Sequence, residues 1–148
     1  MKEKDKLRWM EGRSATANAA AKLPALAHAY FRAGRTVAAS ANDPAELHGF
    51  RVQTKRFRYT LELFHPCYGP ALDSRLEALR QIQQCLGEMS DYATVRKLMT
   101  SARLKADLAR RVEAKIAEFR DLWQNRFDRY GEESRWTRHL ARSSSARR

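Results

Sequence analysis

The stretch Leu47-His48-Gly49-Phe50-Arg51-Val52-Gln53-Thr54-Lys55-Arg56-Phe57-Arg58-Tyr59-Thr60-Leu61-Glu62-Leu63-Phe64 decides the fold. At about 100° per residue it reads as one helix with two opposed faces. Leu47, Phe50, Thr54, Phe57, Leu61 and Phe64 gather on a side that is expected to be buried, and His48, Arg51, Lys55 and Arg58 gather on a side that is expected to stay wet. His48 to Arg58 spans about 15 Å of helix, so the cations form a row that suits an extended anion. Like charges at this spacing repel by a few tenths of a kcal/mol per pair, so folding alone does not require the row. The alternative is a solvated face whose charges meet carboxylates on a neighbouring helix.

The flanks fix the limits of this helix. Asn42-Asp43-Pro44-Ala45-Glu46 supplies an Asp cap, a proline at the first helical position and an acid in the first turn. His65-Pro66-Cys67-Tyr68-Gly69-Pro70 stops it with two prolines and a glycine. Upstream, residues 14–39 form an alanine-rich helix in which Pro24 either kinks the chain or starts a new helix, with His28 close to its apolar stripe. Downstream, Leu72, Leu76, Leu79, Ile82, Gln83 and Leu86 predict a helix over 71–86 with Gly87 as its stop. A further helix is expected to open at Glu88 or Ser90, with Val95, Leu98, Met99 and Ala102 inward and Arg96, Lys97 and Arg103 outward. Leu108, Val112, Ile116, Phe119, Leu122 or Trp123, and Phe127 mark a last helix over 104–130, closed by Gly131.

No strand alternation persists, so the expected fold class is all-α, an antiparallel bundle of four to five helices. The domain reading is a flexible extension over 1–13, a helical domain over 14–130 and a basic, mobile, serine-rich tail over 131–148. A chain of 148 residues fits a single domain and buries about two-thirds of its unfolded surface.

Charge is the unusual feature. A net charge of +12 makes a compact chain repel itself, which points to a polyanionic partner: nucleic acid, anionic membrane or polyphosphate. There is no run of 18 apolar residues and no apolar stretch behind Met1-Lys2-Glu3-Lys4-Asp5-Lys6, so a cytoplasmic protein without a transmembrane segment is expected. Cys67 and Cys85 lack metal-ligand spacing and are expected to be reduced. The sequence carries no glycine-rich phosphate loop, HExxH or GxSxG, so no catalytic residue, cofactor or metal site is assigned and the protein is not expected to be an enzyme. Asp91 is read as a helix cap or as the partner of an arginine on the central helix rather than as a ligand or base.

Two stretches carry a resemblance. Residues 47–59, followed by Leu61-Glu62-Leu63-Phe64, resemble the signature helix of the CHAD family, the conserved histidine α-helical domain. Leu86-Gly87-Glu88-Met89-Ser90-Asp91-Tyr92-Ala93-Thr94-Val95 is similar to the same family's downstream Leu-Gly and Asp segment. The resemblance spans about residues 14–130 and implies a helical domain that binds inorganic polyphosphate through basic surfaces, in places at polyphosphate granules. It further implies that His48, Arg51, Lys55 and Arg58 face the polyanion, joined by Arg56 and Tyr59. Arg96, Lys97 and Arg103 complete the expected polyphosphate-binding set. The family's usual domain has two such helical halves, whereas this chain holds one, nearest the second, which makes a homodimer the expected way to complete a groove. A nucleic-acid-binding or granule-associated structural protein is the alternative.

Overall fold

The computed structural model describes residues 9–142. It is all-helical among the described residues: α1 (Ala15–Ser40), α2 (Pro44–Leu63), the single turn α3 (His65–Tyr68), α4 (Asp73–Leu98), α5 (Ala102–Arg126) and α6 (Glu132–Ala141). The caps follow from the sequence. Ser14 Oγ accepts the Ala17 amide at 3.1 Å and Asp43 Oδ1 accepts the Ala45 amide at 3.0 Å, each satisfying a donor that the first helical turn leaves open. α1 continues through Pro24 without a break. Between α3 and α4 the chain turns through Gly69, whose φ of 74° lies in the left-handed region that glycine enters at no steric cost.

α4 lies against both α2 and α5, and α1 lies against α2 and α6. The core between them is strongly aromatic. Tyr30 stacks on Phe50 at 4.9 Å, Trp123 stacks on Phe127 at 4.8 Å, and Phe31 meets Trp136 edge-on at 5.5 Å. Gly34 makes this possible, because a Cβ there would sit 2.0 Å from the Trp123 ring. The buried hydroxyls are satisfied in sequence. Thr54 donates to the Phe50 carbonyl at 2.8 Å, which leaves its oxygen to accept from Tyr30 at 3.0 Å. Burial pushes the Tyr30 hydroxyl far above its ordinary value, so it stays a donor. Cys67 and Cys85 are both buried thiols and do not form a disulfide, and burial pushes the Cys85 thiol up to about 12.

Several expectations change. Gly87 does not end a helix; α4 runs through it from Asp73 to Leu98, so the separate helix expected from Glu88 or Ser90 is the second half of α4. One glycine costs an interior helix about 1 kcal/mol, less than the burial of Leu86 and Met89 on either side returns. Val95, Leu98 and Ala102 are exposed rather than inward, at the tip where α4 gives way to α5. α5 stops at Arg126 rather than at residue 130. The expected tail starts instead as α6, which puts Trp136 and Leu140 into the core and anchors its end through the Tyr68 hydroxyl, which donates to the Leu140 carbonyl at 2.8 Å. His28 is exposed, with Nδ1 3.7 Å from Glu133 of α6. At the other end, Trp9 stacks on Phe64 at 6.3 Å and the Asn18 side chain bonds Met10 in both directions, so this part of the extension is docked. Residues 1–8 of the extension and 143–148 of the tail lie outside the described residues.

Candidate functional site

Because α2 buries Leu47, Phe50, Thr54, Phe57 and Leu61, its opposite face must carry His48, Arg51, Lys55 and Arg58 at the surface. The row is not uniform. His48 and Lys55 are exposed, whereas Arg51 is half-buried and lies over α4 at Gly87, with Nε 3.9 Å from where a Cβ on that glycine would stand. None of these three has a carboxylate partner among the described residues. Arg58 differs: only 16% of its side chain is exposed, and it pairs with Glu62 at 3.6 Å, which Arg80 of α4 also contacts at 3.3 Å. Tyr59 is exposed, with the Arg58 guanidinium 4.8 Å and the Lys55 ammonium 5.7 Å from its ring. Arg56 is exposed on the flank of the helix.

Beside the start of α2, the last turns of α4 and the first turns of α5 enclose an open cavity of about 750 Å³. His48, Arg96, Lys97 and Lys105 line it, opposed by Asp43 and Glu113. The fold thus brings together three residues chosen from sequence and adds Lys105, which sequence reading missed because only the approach of α5 to α4 places it there. Arg103 is exposed two residues before Lys105, so it projects from a different side of α5, and it does not line the cavity. Asp91 neither caps a helix nor pairs with an arginine among the described residues; it is exposed within α4. No group of three or more His, Cys, Asp or Glu among the described residues is placed to hold a metal ion.

Several other cations on the molecule are paired with carboxylates. Lys115 pairs with Glu88 and, at 2.9 Å, with Glu118, which holds its ammonium above the ordinary value and the Glu88 carboxyl below its own. Arg35 meets Glu133 and Arg135 meets Glu132, both at 2.9 Å, and Arg110 meets Asp107. Set against these pairs, His48, Arg51, Lys55, Arg96, Lys97 and Lys105 form a connected basic region without ion-pair partners among the described residues. Chemically, it can hold an extended anion by charge-assisted hydrogen bonds.

No described helix is long and apolar enough to cross a membrane. No curated protein and no solved structure matches the chain. The family model for the CHAD domain matches residues 3–100, about two-thirds of the sequence and less far downstream than the 14–130 implied by resemblance. The match includes α1, α2 and α4, and α5 and α6 follow it. With its basic helix and the helix beneath it both inside that match, the chain belongs to the CHAD domain family.

Proposed function

We propose that this protein binds inorganic polyphosphate along α2 and into the cavity at its start, and that it acts as a binding module rather than an enzyme. The observation that carries the reading is the grouping of His48, Arg51 and Lys55, none with a carboxylate partner among the described residues, beside the cavity that Arg96, Lys97 and Lys105 line. Membership of the CHAD family, which is generally associated with polyphosphate, supports the choice of anion. Polyphosphate offers a string of anionic oxygens and no base edges, so affinity comes from charge-assisted contacts and counterion release. His48, Arg51 and Lys55 would contact the chain along α2, and Arg96, Lys97 and Lys105 would receive it in the cavity. Arg58, bound to Glu62, would orient Tyr59 more than it meets phosphate. Two chains would align two such faces as a homodimer, and a location at polyphosphate granules fits a protein that coats this polymer.

Nucleic acid is the second reading, and Tyr59 is its specific support, since an exposed ring flanked by two cations can stack on a base. Competition among long polyphosphate, RNA and duplex DNA at equal phosphate concentration and physiological salt tests both. Polyphosphate is expected to win. If RNA displaces it and Tyr59→Ala weakens RNA binding, the second reading replaces the first. Light scattering at tens of micromolar, with and without polyphosphate, tests the dimer; a monomer under both conditions counts against it.

A further inference from the structure

The tip where α4 turns into α5 carries an unusual combination. Residues 95–105 read Val-Arg-Lys-Leu-Met-Thr-Ser-Ala-Arg-Leu-Lys, a run with cations at 96, 97, 103 and 105 and no acid. The same run holds exposed apolar side chains: Leu98 is 73% exposed, Leu104 50% and Val95 41%. These sit on the last turns of α4 and the first turn of α5, so one end of one hairpin presents them together. The turn is held in shape by Ser101, whose Oγ accepts the Leu104 amide. None of the four cations has an ion pair among the described residues. The nearest acid in sequence, Asp107, is taken by Arg110.

We infer that this tip docks on an anionic lipid surface, with Leu98 and Leu104 entering the headgroup boundary and Arg96, Lys97, Arg103 and Lys105 meeting lipid phosphates around them. The combination decides the occupant. A soluble polyanion would satisfy the cations and leave both leucines in water. A second copy meeting tip to tip would bury the leucines and press two sets of four cations together. An anionic bilayer is complementary to both parts: apolar burial gives one contribution, and attraction to the negative surface gives the other. Neither alone holds a protein on a membrane firmly, and here both occupy one rigid hairpin. The inference shares Arg96, Lys97 and Lys105 with the polyphosphate reading but does not rest on it, because the leucines play no part in that reading.

Sedimentation of the full chain with phosphatidylcholine vesicles, with and without phosphatidylglycerol, tests the inference. The protein should pellet with the phosphatidylglycerol vesicles and stay in solution with the others. Leu98→Ser/Leu104→Ser should lower partitioning by on the order of tenfold or more. Leu63→Ser, which changes a leucine 74% exposed at the far end of α2, should leave it unchanged. Lys97→Gln and Arg103→Gln should each reduce it about fivefold, an effect that fades as salt rises. Arg51→Ala should not alter it, which keeps this result separate from the polyphosphate assay. Failure to pellet with phosphatidylglycerol vesicles overturns the inference. So does pelleting that ignores Leu98→Ser/Leu104→Ser, which would make the attraction one of charge alone. A double-serine variant that changes oligomeric state in lipid-free solution while pelleting normally would reassign the tip to contact between copies.

Discussion

The aromatic nucleus around Tyr30 and the cationic face around His48 lie on opposite sides of the same helix and follow opposite rules. In the nucleus every ring meets another, and the one hydroxyl pair is internally satisfied. On the face, His48, Arg51 and Lys55 lie side by side with no carboxylate partner among the described residues, and only Arg58 is paired, with Glu62. On the proposed reading, one side of α2 would contribute stability and nothing to binding, and the other would contribute binding at a small cost in stability. If that division is right, substitutions on the two sides should have separable effects.

The largest effect is expected at Trp136. Trp136→Ala removes a buried ring that touches Phe31, Phe57 and Phe127, and should cost about 3 to 5 kcal/mol in denaturant unfolding. Polyphosphate affinity of the folded fraction should not move. A loss below about 1 kcal/mol would mean that α6 is an accessory and that the nucleus ends without it. On the opposite side, Arg51→Ala or Lys55→Ala should weaken polyphosphate binding by about 1.5 to 3 kcal/mol while leaving unfolding unchanged or slightly more difficult. The slope of affinity against salt should shrink by about 0.7 to 0.9 for each phosphate that the variant no longer neutralises, if polyphosphate behaves as a nucleic-acid backbone does. Unfolding by these variants with unchanged binding would reverse the division.

Gly87 lies on the border between the two regions. A Cβ there meets only Arg51 Nε, at an ordinary 3.9 Å, so Gly87→Ala should raise stability by about 0.5 to 1 kcal/mol through helix propensity. Binding that weakens at the same time would show that the missing side chain gives Arg51 room to reach its ligand. The smallest effect concerns Glu88. Lys115 holds its carboxyl below the ordinary value of 4.5, so the folded chain takes up this proton less readily than the unfolded one. The contribution is therefore present above that ordinary value and is lost as pH falls through the lower folded value. Glu88→Gln should flatten the acid limb of a stability-versus-pH curve by removing a contribution that is present at neutral pH, and the effect is small because the pair is partly exposed to solvent.

What the sequence made legible was local. The cap at Asp43, the proline beside it and the periodic phenylalanines each act within one or two turns, and α2 begins and packs as they dictate. Gly87 misled because glycine's local preference is weak and the burial of its neighbours, which only the packed structure shows, outweighed it. α6 was hidden because its two anchors, Trp136 and Leu140, stand four residues apart among basic and polar residues, too short a pattern to separate from a solvated tail. For the site, the row on α2 followed from periodicity, but the half-burial of Arg51 and the Arg58–Glu62 pair did not. The cavity needed three helices brought together, so Lys105 carried no local signal.

The rings of Tyr30 and Phe31 find Trp123 and Phe127 roughly ninety residues later in the chain, which sets a delay during synthesis. At about 5 to 20 residues per second the ribosome needs on the order of 5 to 20 seconds to deliver them. Late in that interval the nascent chain holds α1, α2 and α4, with an aromatic surface that has no cover until α5 and α6 follow. A ribosome-bound or recombinant fragment ending at Thr100, where the family match stops, should therefore engage chaperones or aggregate, and extension through Leu140 should release it.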